Sequence, residues 1–311
     1  MRSVIFKRKV NFAKSVLFVT FIFLVQVLYA GNENQGFFTN ESGFDAKAWV
    51  VSKSSEIGTY PRVGTPEYMT DKAYYEAGLT MRENKENKQN FQDIVKQAWN
   101  NDIPCNSDNL VKYFSEKAGL VFIDNKRKEN LERCLADAYR INEYAKSYYH
   151  RSRPWFTFWG DGYIEDKGNT LYKGMNGNVT MWQHVYGNAE NQFRSYPSGH
   201  STTTYVAALC LCTFYPEKAS DILKAANNFT MSRVILGIHH KSDIDAAYRL
   251  ARCIFEEIKN STSYQEAIKD LVLEKYDIPT SNETENCFND ELKNVALTLG
   301  VSADLKSDVN Q

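Results

Sequence analysis

The chain has 311 residues, 43% of them apolar and 24% charged, with a formal net charge of −1. These values are ordinary for a globular protein, and a mean hydropathy of −0.49 excludes a polytopic membrane protein. The length suits one large domain or two small ones.

Arg2, Lys7, Arg8, Lys9 and Lys14 form a basic stretch without an acidic residue. Ser15–Leu28 is an apolar run, and Ala30 offers a small residue before the polar segment 31–36. This pattern predicts a secretory signal peptide over residues 1–30. The run falls short of the roughly twenty residues that a membrane span needs; an uncleaved anchor is the alternative. Removing the segment leaves 32 basic against 38 acidic side chains, a net charge of −6. That balance gives no broad basic surface for a nucleic-acid polymer. The expected location is periplasmic or secreted, with no stable membrane span after signal removal and with homo-oligomerisation left open.

Residues 31–70 are polar with scattered Gly, Ser and Pro, and are expected to form an extended arm. From Asp71, placed to cap the first long helix, helical periodicity dominates. Phe91, Ile94, Val95, Ala98 and Trp99 mark one stripe, and Leu131, Leu135, Ala138, Ile141, Ala145 and Tyr148 a longer one. Residues 155–196 interleave aromatics with glycines in a long connection, either a packed loop or a substrate wall. A helix is expected to run from Ser198 to a stop at Pro216, another from Asp221 as cap to Gly237, and a third from Ser242, paired with Asp245 three residues on. Residues 276–311 read as a polar C-terminal extension. With no run of alternating strands, the fold class expected is all-α, a single helical domain over 71–275.

An exported chain meets an oxidising compartment. Cys210, Cys212 and Cys253 lie in apolar helical patterns, so any disulfide is expected among Cys105, Cys134 and Cys287. No cysteine spacing suits a zinc site. Five glycosylation sequons, at Asn40, Asn178, Asn228, Asn260 and Asn282, carry little weight in an Asn-rich chain.

Three clusters carry chemistry. The first is Lys146-x6-Arg153-Pro154, the second Pro197-Ser198-Gly199-His200, and the third Ser232-Arg233-x5-His239-x3-Asp243. Ser198 and the Gly199 N–H open a helix, where free N–H groups attract anions. Arg153 and Arg233 offer planar forks to phosphate oxygens, and Lys146 offers a point charge. Arg233 lies in an apolar segment, so its charge needs an anionic partner. Asp243 stands four residues from His239 and can hold its Nδ1–H, leaving Nε2 as a nucleophile. His150, His184 and His240 have no equally placed partner and read as core or capping residues.

Taken together, in this order and at these spacings, the clusters resemble the signature of the type-2 phosphatidic acid phosphatase superfamily. With one signal segment and no further span, the chain looks most like the class A bacterial non-specific acid phosphatases. The specific match covers about a hundred residues. The 155–196 connection is long for that class, and the tail has no counterpart in it. The resemblance implies a helical bundle of the phosphatase and vanadium haloperoxidase type. It implies that His239 attacks phosphorus, that Asp243 orients it, and that His200 protonates the leaving oxygen and then activates water. Lys146, Arg153, Ser198, Gly199 and Arg233 would hold the phosphate. The expected partner is a phosphomonoester, with no metal and no cofactor, at acid to near-neutral pH. A vanadium-dependent haloperoxidase and a non-catalytic phosphate-binding or adhesion protein are the alternatives.

Overall fold

A computed structural model of the chain describes residues 35–120, 123–159 and 193–271. The predicted signal peptide, most of the aromatic connection with His184, Cys287 and the polar extension lie outside the described residues. Every regular element among the described residues is a helix, and none is long and apolar enough to cross a membrane.

In chain order these are α1 (Ala46–Ser52), α2 (Ser54–Ile57), α3 (Pro66–Glu83), α4 (Gln89–Asn100), α5 (Ser107–Ala118), α6 (Asn125–Tyr149), α7 (Pro154–Trp159), α8 (Gly199–Phe214), α9 (Ala219–Ile235), α10 (Lys241–Asn260) and α11 (Thr262–Ile268). Helix α8 is the hub and packs against α6, α9 and α10. Its sequence is apolar or small on every side, and all but Gly199, His200 and Thr213 are buried. A helix without a polar face has to be surrounded. The ends of α6, α8, α9 and α10 then gather around the start of α8.

Local chemistry sets most boundaries. Asp124 caps α6 by accepting the Arg127 N–H, and His150 closes it in the left-handed region at φ 49°. Helix α8 gives way at Tyr215 to a short 3-10 turn, Pro216–Lys218. Three expected caps are corrected. Thr65 caps α3, with Pro66 in its first turn, which leaves Asp71 inside the helix and buried. Lys218, not Asp221, precedes α9. His240, not Ser242, precedes α10, and the Asp243 carboxylate accepts the His240 N–H to close a capping box; Asp245 instead pairs with Lys241.

The segment expected to be an extended arm is also corrected. Helices α1 and α2 occupy part of it, α1 capped by Asp45. Phe37, Phe38, Val50 and Ile57 are buried in the core, so apolar burial folds the segment back onto the bundle. Asp137, buried in α6, anchors it by accepting the Phe37 N–H at 2.7 Å, the Thr39 N–H at 3.0 Å and the Thr39 hydroxyl at 2.6 Å. Replacing Asp137 with alanine orphans three donors at once. The expected loss is about 3 kcal/mol of unfolding free energy, read as a lower denaturant midpoint at unchanged slope.

The cysteine expectation fails for two of its three members. Cys105 and Cys134 are free, and Cys134 faces Cys210 across the α6–α8 interface with 3.6 Å between sulfurs. Both are fully buried among apolar groups, where free cysteine packs as a small hydrophobe.

Candidate active site

Backbone geometry brings the three sequence clusters to one place. Helix α9 ends at Ile235, and Gly237, at φ +71°, lets the chain double back. The Ile238 N–H bonds the Arg233 carbonyl at 2.9 Å, so the turn carries His239 back beside the end of α9. A Cβ at Gly237 would sit 2.8 Å from Arg82 Nη2, and the same Arg82 caps the helix end by donating to the Ile235 carbonyl. From the second cluster, the Ser198 N–H donates to the Asp243 carbonyl at 3.1 Å. From the first, Arg153 reaches the third through the Ile238 carbonyl at 3.0 Å.

The His239 tautomer follows from its neighbours. Arg153 Nη1 lies 2.7 Å from Nε2. A guanidinium only donates, so Nε2 accepts and Nδ1 carries the proton. Nδ1 then donates to Asp243 Oδ2 at 3.2 Å. The lone pair of Nε2 thus faces a cation. The same carboxylate oxygen accepts from the Ser195 hydroxyl and stands 3.2 Å from His240 Nδ1. His240 therefore does have a placed partner, which corrects its reading as a histidine without one; it is fully buried, as expected of a core residue.

Burial alone would push the Asp243 carboxyl up, but the Arg151 guanidinium and then His240 outweigh it and hold the group well below the usual carboxylate range. His239 moves the other way. Burial and the Arg153 charge hold it well below an ordinary histidine, against the pull of Asp243. That favours the neutral imidazole, the form that a nucleophile needs. His200 is held down to about 3 by burial and by Arg233, with Lys146 and Arg153 adding to it and Asp102 opposing. Lys146 and Arg153 act on both His200 and His239.

The remaining predicted residues have defined partners of their own. Lys146, buried near the end of α6, donates to the Arg194 carbonyl at 2.7 Å. Burial and Arg153 depress its ammonium well below the usual lysine value. Arg233 is fully buried, and Asp102 is the anionic partner its setting required, at 2.6 Å. Ser198 is the cap of α8, and its hydroxyl accepts from the Ser201 hydroxyl at 2.8 Å. Gly199 is packed so closely that a Cβ would meet Asn142 Nδ2 at 2.9 Å and Lys146 Cε at 3.2 Å. Substituting Gly199 with alanine is expected to push both aside and to slow turnover about tenfold or more in steady-state kinetics, since displacements near 1 Å cost up to about a hundredfold.

Sequence reasoning missed Arg151, Asp71, Asp102 and Asn142. Asn142 was within reach, being one helical turn before Lys146 on the same face. Arg151 shares the segment of Arg153 two residues on. Nothing local marks Asp102, whose partner is 131 residues away in sequence.

Comparison with known proteins gives an independent finding. Residues 133–263, a stretch that spans all three clusters, match the family described as the PAP2 superfamily. The chain is 26% identical over 283 residues to a non-specific acid phosphatase of Salmonella typhimurium, covering 86% of this chain and 99% of that one. It is 28% identical over 213 residues to a non-specific acid phosphatase of Providencia stuartii, covering 67% and 75%. A shorter match, 42% identical over 57 residues, joins it to an acid phosphatase of Zymomonas mobilis, covering 18% of this chain and 22% of that one.

Proposed function

We propose that this chain, with its PAP2-superfamily domain, is an exported acid phosphatase that hydrolyses phosphomonoesters of broad specificity through a phosphohistidine. The observation that carries the reading is a carboxylate-held imidazole whose Nε2 faces the buried Arg153 guanidinium. A phosphoryl group placed among Lys146, Arg153 and Arg233 has its equatorial oxygens held and its charge offset, which is most of what phosphoryl transfer needs. The Ser198 hydroxyl and the Gly199 N–H at the start of α8 add donors.

In the first step His239 Nε2 forms a bond to phosphorus as the bond to the ester oxygen breaks. His200 gives its proton to that leaving oxygen. In the second step the neutral His200 takes a proton from water, whose oxygen attacks phosphorus, and the P–N bond breaks to free inorganic phosphate and restore His239. Asp243 keeps Nδ1–H in place through both steps. The cations that depress His200 are offset once a phosphate dianion binds among them, so His200 gains a proton as substrate arrives. That coupling suits acid to near-neutral pH.

The test is hydrolysis of an aryl phosphate by the mature protein in excess chelator. Steady release of phosphate is expected, with sugar and nucleotide phosphates also cleaved. No turnover under any of these conditions would overturn the reading.

A further inference from the structure

Behind Asp243 lies a buried charge network that the reaction above does not use. Arg151 is 4% exposed and holds two carboxylates. Nη1 donates to Asp243 Oδ1 at 2.6 Å, and Nη2 donates to Asp71 Oδ2 at 2.8 Å. Ser242 bridges the two. Its N–H donates to Asp71 Oδ1 at 2.8 Å, its hydroxyl donates to Asp71 Oδ2, and it accepts from Arg151 Nη1 at 2.7 Å. The guanidinium also lies over the Tyr60 ring at 5.2 Å. With both ends of its fork on carboxylates, Arg151 is committed to them and is not placed to hold substrate phosphate. Asp71 comes from α3, outside the segment that matches the superfamily.

We infer that Arg151 and Asp71 are positioning residues for the phosphatase reaction, which together fix the orientation of Asp243 and set the negative charge that His239 feels. The inference rests on the function proposed above. Its physical content is a balance. Two buried carboxylates and one guanidinium leave one net negative charge behind the imidazole. Without Arg151, two carboxylates would face His239. Without Asp71, the guanidinium would spend its whole charge on Asp243 and weaken its hold on Nδ1–H. A buried ion triad of this kind is costly to assemble and is a weak device for stability alone. The other ionisable groups that act on His239 and Asp243 are Lys146, Arg153 and His240.

The test is the pH profile of kcat/KM for an aryl phosphate, read in wild type and four variants. Arg151→Gln is expected to lower kcat roughly 10- to 100-fold, the range seen when outer partners of functional histidines are lost. KM should stay within about threefold, because the groups that hold phosphate are untouched. The acid limb, which follows deprotonation of His239, should move up by about one pH unit. Arg151→Lys should recover most of the rate. Asp71→Asn alone should move the limb down. Adding Asp71→Asn to Arg151→Gln should bring the limb back toward wild type, because the net charge behind the imidazole is restored. A purely structural pair would instead make the double variant at least as impaired, with no opposed shifts. An unmoved limb, or a double variant displaced as far as Arg151→Gln, overturns the inference. If Arg151→Gln does not fold, the limbs of Arg151→Lys and Asp71→Asn decide in the same way. A wild-type protein without turnover would instead count against the phosphatase reading itself.

Discussion

Replacing His239 with alanine is expected to lower kcat for an aryl phosphate by about 10⁴- to 10⁶-fold, the scale on which loss of a catalytic nucleophile is felt. The reason is local. Nε2 of His239 is the group whose lone pair faces Arg153, and its Nδ1–H is held by Asp243. His240 shares the Asp243 carboxylate through its own Nδ1, but it is fully buried and packs edge-on to Phe158. It is not expected to take over the attack. Lys146, Arg153 and Arg233 remain in the variant, so binding of inorganic phosphate, read as competitive inhibition of wild type against direct calorimetric affinity for the variant, should change little. Full turnover by the variant would remove His239 from the mechanism.

The second large effect concerns His200, whose two proposed duties make different demands. As a proton donor it matters most where the leaving oxygen is a poor leaving group. Its replacement by alanine should cost an alkyl phosphate about 10²- to 10⁴-fold. A nitrophenyl phosphate, whose leaving oxygen needs little help, should lose less in the first step. As the proposed base toward water, His200 would also govern release of phosphate from His239. The variant should therefore show a burst of nitrophenol followed by a slow steady phase, visible in stopped-flow absorbance. Burial and the Arg233 guanidinium favour the neutral form of His200, down to about 3, so protonation must be restored by the charge of the bound substrate. Activity should accordingly fall as pH rises through the value His200 reaches in the complex. Equal losses on alkyl and nitrophenyl phosphates, without a burst, would contradict this assignment.

How much of this was legible beforehand differs by residue, for physical reasons. The clusters that hold His239, the cations and the glycine-bearing turn could be read because they are chemically unusual residues at fixed spacings. Arg233 announced its burial by standing in an apolar run, and its required anion exists as Asp102. That partner sits beyond α4, and no periodicity carries a contact between residues so far apart. Asp71 was read as a helix cap because an aspartate at the head of a helical run fits that role. The competing signal, Thr65 before Pro66, was equally local and is the one the backbone follows. Asp71 turned instead to Arg151 and Ser242, a choice made by tertiary burial. The same holds for residues 35–57. Their composition suggests an extended segment, but Phe37, Phe38 and Ile57 lose too much by staying in water. All-helical architecture was readable because α8 is apolar on every side and its neighbours carry clear stripes; which helix ends meet was not, since convergence is a property of packing.

The central claim, that phosphate passes through a covalent bond to one imidazole, is tested most directly by rapid acid-free quenching with ³²P-labelled aryl phosphate, followed by peptide mapping. The His200→Ala protein is the better vehicle, because slow hydrolysis lets the adduct accumulate. Label that is stable in base, lost in acid and confined to the peptide bearing residue 239 is the predicted result. Turnover with no protein-bound label, or label on another side chain, would contradict it.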